Sequence, residues 1–560
     1  MQLNFACDRF YHYAELTQLL QDCAAAYPQL LRLESLGKSH EGREIWLLRI
    51  TDYSSGDDTE KPALWIDGNI HATELAASSA CLRFLQVLLQ GFEQGDPVIQ
   101  RCLQRCTIYL CPRQNPDGAE LALADQPQFV RSSTRPYPLR DRDSSGLQEA
   151  DIDGDGRILL MRIPDPHGAW KVHPQEPRLL VRRDPVESGG QYYRVLPEGL
   201  IQDYDGDLIP LQPRQQGLDL NRNYPIDWRP EHEQLGAGPF PASEPEVQAI
   251  VKFLSDRTNL FAAISFHTFS GVLLRPYSHK PDETFPVADL RTYEVIGKAG
   301  EEQTGYPAIG VYHHFRYDPK EITTGVFDDW AYDHLGLFAW TVEIWSPQKA
   351  AGIEKYDWID WFREHPVEDD LKFLDWNDRE LEGKGFIDWY PFEHPQLGPV
   401  ELGGWDDLHT WRNPPQKFLQ AELDRFPQWL LWQLQIAPQL EVISAEVQAL
   451  GDRLYKVKLV LQNSGWLPTY ISQKALERHL VDPLVAELQL PEGSELCQGK
   501  ARQELGQLEG RAQKGVMPEA DPTSDRAKAE WIIRGDRGQG ITLEARHPRA
   551  GKLQRSLTLP

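Results

Sequence analysis

The sequence predicts an α/β fold, a mixed or mostly parallel sheet with helices on both faces, followed by a small all-β sandwich. Three observations carry this reading. In roughly the first 350 residues, apolar runs bounded by turn residues alternate with stretches of helix-like apolar spacing, the signature of strands buried between layers of helices. Residues 132–217 break that rhythm with a Pro-, Asp-, Gly- and Arg-rich insert. From about Pro438 the pattern changes to short alternating runs, such as Leu454–Leu461, that read as half-buried strands. The expected division is 1–350, a Trp- and acid-rich connector at 351–437 packed on the first domain, and a β-sandwich at 438–560.

The elements follow in order. Leu16, Leu19, Leu20, Cys23 and Tyr27 have helical spacing, and the Pro28 region ends that helix. Residues 31–52 read as a hairpin with Gly42 in its turn. The run from Ala63 is a buried strand whose end carries His71 and Glu74, and a helix follows from about Ala76 to Leu89. The strand Thr107–Cys111 leads into Asn115-Pro-Asp-Gly118, a turn signal. Inside the insert, Asp151-Ile-Asp-Gly-Asp-Gly-Arg-Ile158 looks like the front half of a calcium loop, with Asp151, Asp153 and Asp155 at alternate positions. Its twelfth position holds Arg162 instead of a bidentate Glu, and Asp-Gly clusters are also ordinary turn formers. Phe261–His267 and Ala339–Trp345 are two further apolar strands. Residues 498–528, rich in Gln, Gly and charge, read as a mobile loop.

Composition narrows the function. A formal net charge of -26 leaves no basic stripe to neutralise phosphates, which argues against nucleic acid. The N-terminus lacks the basic start and apolar block of a signal peptide. No stretch of about eighteen apolar residues announces a transmembrane helix. The seven cysteines, an odd number, show no disulfide-framework pattern; Cys102, Cys106 and Cys111 cluster in a run that reads as helix end and strand, so they are expected as buried thiols, and a reducing cytoplasm is the expected setting.

The chemistry begins at His71-x-x-Glu74. An imidazole and a carboxylate three residues apart reach one small divalent cation, and the nitrogen/oxygen pair suits zinc. The spacing alone is weak, since it recurs at His12/Glu15, His173/Glu176 and His365/Glu368, which read as surface residues. Only His71 follows a strongly apolar strand, and ligands in α/β folds gather at strand carboxyl ends. His267 ends a second such strand. Glu343 lies inside a third, where a carboxylate costs several kcal/mol unless it has a partner or a task.

Taken together, His71-x-x-Glu74, Asn115-Pro-Asp-Gly118, Asp219-x-Asn221-Arg222, Ser265-Phe-His267-Thr-Phe-Ser270, Asp329-Trp330 and Thr341-Val-Glu343 come in the order of the zinc carboxypeptidase family, which the chain resembles over residues 5–350. The resemblance implies a carboxypeptidase-like mixed sheet of eight strands flanked by helices. It implies that His71, Glu74 and His267 bind one zinc, with Asp219 orienting His71. Glu343 would be the general base that takes a proton from zinc-bound water and passes it to the leaving amine. Arg131, with Arg135 as the alternative, would polarise the scissile carbonyl. Asn221 and Arg222 would hold the terminal carboxylate of a peptide substrate.

The departures are informative. The gap between Glu74 and His267 is long, and residues 132–217 account for the excess. The tyrosine that usually caps the bound C-terminus falls near Glu321, with Tyr312 and Tyr317 as substitutes from a shifted loop. Thr73 replaces a common arginine, and no inhibitory propeptide precedes the first strands, so the protein is expected to be made active or held latent by something else. Asp328 stands where family members with an acid prefer C-terminal Lys or Arg, although a helix N-terminal acid is the bland alternative. The first reading is therefore a zinc metallocarboxypeptidase acting on peptides with a free C-terminus, with no nucleic-acid or membrane partner. The second is a zinc amidohydrolase on a non-standard or cell-wall peptide, such as a γ-D-glutamyl-linked one. The third is a catalytically dead binding protein on the same fold.

Overall fold

The structure, a computed structural model, describes residues 5–137, 145–211, 216–316, 318, 320, 323–513 and 521–560. Its centre is an eight-stranded mixed sheet built from β1 (Leu31–Lys38), β2 (Glu44–Ile50), β3 (Ala63–Gly68), β4 (Thr107–Cys111), β5 (Leu260–Thr268), β6 (Val272–Arg275), β7 (Ala308–Gly310) and β8 (Phe338–Ile344). They lie in the order β1-β2-β4-β3-β5-β8-β6-β7. The inner four, β4, β3, β5 and β8, are parallel. The hairpin β1/β2 and strand β6 run antiparallel beside them. Every residue of β3, β4 and β5 is buried, as parallel strands covered on both faces must be.

The covering helices are α1 (Tyr13–Ala26), α2 (Leu75–Gln94), α3 (Pro97–Arg105), α4 (Pro116–Ala122), α5 (Pro245–Ser255), α6 (Val287–Thr304) and α7 (Phe327–Leu335). Side chains of α1, α2, α3 and α6 share one core with one face of the sheet. Those of α5 and α7 form a second core with Trp65, Tyr109 and Ala339 on the other face. α2 runs five residues past its expected end at Leu89, because apolar positions on its core side continue and Gly95, at φ 73, supplies the left-handed stop. By length and composition α2 is apolar enough to cross a membrane, which the sequence reading did not anticipate; 78% of its most apolar window is buried within the protein, as in a core helix.

Asn115-Pro-Asp-Gly118 is not a free turn. Asn115 is the N-cap of α4, accepting from the Gly118 amide at 3.0 Å, with Pro116 at the first helical position where its missing N–H costs nothing.

A six-stranded sheet joins distant stretches of chain. Leu160–Pro164, Trp170–Val172, Leu180–Arg182 and Tyr193–Pro197 come from the insert, and Phe386–His394 with Gly398–Trp405 form a hairpin from the connector. Glu401 pairs with Arg162 across this junction. The C-terminal region is β-rich, with two four-stranded antiparallel sheets enclosing one core of Val457, Leu461, Trp531, Ala486, Leu543 and their neighbours. Within the expected loop 498–528, Arg502–Glu504 is a strand paired with Val485–Glu487; residues 514–520 lie outside the described residues.

Candidate metal centre

The carboxyl ends of β3, β5 and β8 bring the expected groups together. Pairing sets Phe266 of β5 beside Gly68 of β3, and His267 beside Glu343 of β8. Beyond Gly68 the chain turns at Asn69, φ 61, and reaches His71 and then Glu74 at the start of α2. A Cβ on Gly68 would lie 2.6 Å from the Ala77 carbonyl oxygen, so α2 descends onto this strand end only because residue 68 has no side chain.

His71 Nδ1 lies 2.8 Å from Glu74 Oε1 and 3.1 Å from His267 Nδ1, and His267 Nδ1 lies 3.1 Å from Glu74 Oε2. All three residues are buried. Their outer nitrogens are engaged elsewhere. His71 Nε2 donates to Asp219 Oδ1 at 3.2 Å. His267 Nε2 donates to Ser265 Oγ at 3.2 Å, and that hydroxyl donates to Asp67 Oδ1 at 2.6 Å. Trp65 Nε1 donates to the other Asp67 oxygen at 2.6 Å. These bonds assign the ring protons to Nε2, so both Nδ1 atoms present lone pairs to one another and to a carboxylate. Such a meeting is repulsive until a cation sits among the three atoms. Two imidazole nitrogens and one carboxylate oxygen are the protein donor set of a catalytic zinc site, and these residues fit zinc.

The charges agree. Burial raises the Glu74 carboxyl, and positive charge placed at His71 and His267 more than offsets it and holds it below the usual carboxylate range, so this is a place where a carboxylate is stabilised by a cation. Burial of Asp219 is likewise outweighed, by Arg131, Arg222 and His71, and its carboxyl lies well below the usual range. Burial lowers His267 and favours the neutral form that ligates. Asp67 is pushed up by burial to about 6, against the bonds from Ser265 and Trp65.

The loop carrying His71 is tied at several points. Asn115 Nδ2 donates to the Ile70 carbonyl at 3.2 Å and the Ser132 carbonyl at 2.7 Å, and the Ala72 amide donates to the Arg131 carbonyl at 3.1 Å. The Asn-Pro-Asp-Gly motif therefore staples the His71 loop to the Arg131 loop. Asn413, from the connector, receives the Ala76 amide at 2.8 Å and donates to the Thr73 carbonyl at 2.8 Å, meeting an otherwise orphaned donor of α2's first turn.

Arg131 stands at the cluster. Its Nε donates to Asp219 Oδ2 at 2.9 Å, its Nη1 is 3.5 Å from Glu74 Oε1, and its side chain remains 42% exposed. Arg135 is turned away and paired with Glu244 at 2.9 Å. Asn221 Oδ1 accepts from the Phe327 amide at 2.8 Å, and Arg222 Nη1 donates to the Asn221 carbonyl at 2.7 Å. Glu343 Oε2 is buried without a hydrogen-bond partner among the described residues. Burial, and then the charge of Glu74, push its carboxyl well above the ordinary range, with Arg131 opposing.

Asp328 and Asp329, in the first turn of α7, have different surroundings. Asp329 accepts the Ser278 amide at 3.1 Å and lies 3.1 Å from His279 Nδ1, while His279 Nε2 lies 2.6 Å from Asp227 Oδ2. Asp329 therefore has both a backbone donor and the His279 ring against its carboxylate. Asp328 accepts the Asp329 amide at 3.0 Å and the Thr341 hydroxyl, and pairs with no cation among the described residues. Burial and then Asp329's charge push it up to about 8.

Other expectations change. The calcium trio Asp151, Asp153 and Asp155 does not assemble: Asp155 turns to the Arg157 amide and guanidinium at 2.8 and 2.9 Å, and Glu198 lies near Asp151 and Asp153 in its place. Those remaining oxygens already accept donors, Asp151 from the Gly154 and Gly156 amides at 2.7 and 2.9 Å, and Glu198 from the Ile152 and Leu159 amides, both at 2.7 Å. His12 is exposed and His365 half-buried, but His173 is buried and accepts the Gln175 and Glu176 amides at its Nδ1, a turn-capping histidine. Tyr312 packs beneath Arg316; Tyr317 and Glu321 lie outside the described residues. Sequence reasoning assigned no role to Asp67, Ser265 or Asn413. Asp67 gave the same signal as Glu343, an acid inside an apolar strand.

A family model described as zinc carboxypeptidase matches residues 16–362, and a model described only as a domain of unknown function matches residues 439–558. Carboxypeptidase D of Homo sapiens is 29% identical over 249 residues, covering 41% of this chain and 16% of that protein. Carboxypeptidase A6 of Homo sapiens is 23% identical over 351 residues, covering 60% of each. The chain thus spans 16% and 60% of the length of these two relatives. Among solved structures, thrombin activatable fibrinolysis inhibitor aligns with a TM-score of 0.39 at 18% identity, over 61% of this chain and 67% of that one. Carboxypeptidase A from Helicoverpa armigera aligns with a TM-score of 0.39 at 18% identity, over 68% and 75%. With the family model spanning most of the chain and the ligand geometry in place, the protein belongs to the zinc carboxypeptidase family.

Proposed function

We propose that this protein removes single residues from the C-terminus of peptides, favouring Lys and Arg. The observation that carries the reading is the convergence of two imidazole Nδ1 atoms and a carboxylate beside the unpartnered oxygen of Glu343 and the exposed guanidinium of Arg131. Zinc, when bound, supplies a Lewis acid that polarises a carbonyl and acidifies water. Glu343, dry and raised, accepts a proton from the attacking water and returns it to the departing amine. Arg131 donates to the oxygen on which negative charge develops, while Asp219 holds it in place from behind. Arg222 and Asn221 take the terminal carboxylate, and a bidentate guanidinium contact makes the cut exopeptidic.

Asp328 supports the basic preference. A buried acid beside a second, already partnered acid is completed by a cationic side chain. The sign of its pH effect follows from its position near 8: cation binding needs the ionised form, so kcat/KM on peptides ending in Arg rises as pH increases through about 8.

The test is release of C-terminal residues from a peptide library by zinc-loaded protein, with and without a chelator, at pH 6.5 and 8.5. Chelator-sensitive release of Lys and Arg is expected, with the pH response abolished by Asp328→Asn and turnover lost but zinc kept in Glu343→Gln. Release without basic preference removes Asp328's role. No release from ordinary peptides, with zinc bound, sinks the carboxypeptidase reading in favour of an amidohydrolase acting on γ-D-glutamyl-linked or other non-standard peptides.

A further inference from the structure

We propose that the C-terminal β-rich region positions the specificity pocket, with Ser472, Arg478 and Arg549 capping the last turn of α7 and thereby fixing where its first turn holds Asp328. The proposal rests on the reading of Asp328 given above. All three residues lie within 439–558, the stretch matched by a domain of unknown function.

The argument is one of hydrogen-bond accounting. α7 has nine residues, about 13 Å at 1.5 Å per residue, so a shift at one end reaches the other almost undiminished. The last four carbonyls of a helix have no partner within it. Gly336, at φ 67, closes the helix by donating to the Tyr332 carbonyl at 3.0 Å, and the Leu337 amide reaches Ala331 at 3.2 Å. That leaves the carbonyls around the last turn. Arg478 Nη1 donates to the Asp333 carbonyl at 2.6 Å, Arg549 Nη2 to Leu335 at 2.6 Å, and the Ser472 hydroxyl to Gly336 at 2.8 Å. Two guanidinium groups at a helix C-terminus are also favoured by the helix dipole.

The cap has no slack. A Cβ on Gly336 would lie 2.5 Å from the Ala475 Cβ, so the two backbones are at closest approach. The segment carrying Ser472 and Ala475 is itself anchored on α6, where Asp289 accepts the Gln473 and Lys474 amides at 2.7 and 3.1 Å and the Tyr332 hydroxyl at 2.7 Å. At the opposite end, the Phe327 amide of α7 is held by Asn221, the residue assigned to the substrate carboxylate. α7 is therefore a strut between the cleft and the C-terminal region. Asp328 stands at its cleft end, and the three capping residues stand at the other.

The test compares kcat/KM on matched peptides ending in Arg and in Leu, using the full zinc-loaded chain. The variants are Arg478→Met, its double with Ser472→Ala, and Arg549→Met; Arg478 is exposed, so its replacement does not threaten folding. The Arg-over-Leu ratio is expected to fall about tenfold in the double variant, mainly through KM for the Arg peptide, less than an ångström-scale misplacement can cost. Zinc content and kcat on the Leu peptide stay unchanged, and Arg478→Lys keeps most of the preference. A parallel fall for both peptides means the contact only holds two domains together and overturns the proposal, as does an unchanged ratio. A wild-type protein without Arg preference, or one whose preference survives Asp328→Asn, overturns the reading beneath it and the proposal with it.

Discussion

Among the described residues, two clusters bring three potential metal-ligating groups close together, and they differ in where their hydrogen bonds go. At His71 and His267 the outer ring nitrogens are bonded and the inner ones face Glu74, whose Oε2 also accepts the Thr268 amide at 3.2 Å. Asp219 and Ser265 take the two Nε2 protons, which leaves both Nδ1 lone pairs facing inward. At Asp151, Asp153 and Glu198 the oxygens are turned to backbone amides of their own loop and strand, or to the Tyr390 hydroxyl. The first arrangement stores repulsion that a cation relieves. The second has satisfied its acceptors and is at once a turn and a brace. Proximity of acids and imidazoles is therefore a poor guide by itself, and the fate of the remaining lone pairs is the better one.

The largest expected effect breaks this comparison outright. Native protein is expected to carry about one zinc per chain by elemental analysis, and His71→Ala or His267→Ala to remove it, because two remaining protein ligands fall short of the three that a catalytic zinc site uses. Asp151→Asn and Asp153→Asn leave the zinc content unchanged. Zinc that persists in His71→Ala, or that leaves on altering Asp151, would place the metal elsewhere.

A smaller effect sharpens it. If the inward lone pairs depend on the outer bonds, loosening those bonds weakens zinc without removing a ligand. Ser265→Ala and Asp219→Asn are each expected to lower zinc affinity about 10- to 100-fold, measured by competition with a chromogenic chelator. Unchanged affinity in both would mean that ring orientation is set by packing alone.

The site was legible because its parts are short and local. A histidine at the end of an apolar strand, and an acid inside one, each announce an unusual burial cost. Asp67 carried that signal too, but its partner Ser265 stands 198 residues away and only the parallel pairing of β3 with β5 reveals the link. The same limit hid Asn413, which completes the start of α2 from 337 residues away. It also hid the union of the connector hairpin with the insert, since alternation of side chains fixes which face of a strand is buried but not which strand lies beside it. Asn115-Pro-Asp-Gly118 failed differently. Its residues suit a turn and a helix start equally, and the continuation through Ala119–Ala122, together with the fit of Gly118 against Ser132 and Ala72, decides for the helix.

The smallest expected effect lies in the second cluster, where a proton and not zinc is the relevant cation. Burial, then the charges of Asp153 and Asp151, push Glu198 up to about 7, with the Ile152 and Leu159 amides opposing. An unfolded glutamate ionises near 4.5, so the folded state holds this proton more tightly. The resulting stabilisation is present below about 4.5 and is lost as pH rises through about 7, at most about 3 kcal/mol. Asp67, Glu246 and Asp328 are pushed the same way, so the whole fall in thermal midpoint between pH 5 and 8 belongs to several groups. The difference between wild type and Asp153→Asn isolates Glu198, because removing one neighbouring charge lowers its pKa without touching the others. The variant is expected to lose less of its midpoint over that range, by a degree or two, on the order of the 0.5 kcal/mol that one partly screened charge contributes. Parallel curves would show that burial alone sets Glu198, and that the neighbouring carboxylates of this loop do not act on one another as those of the zinc cluster do.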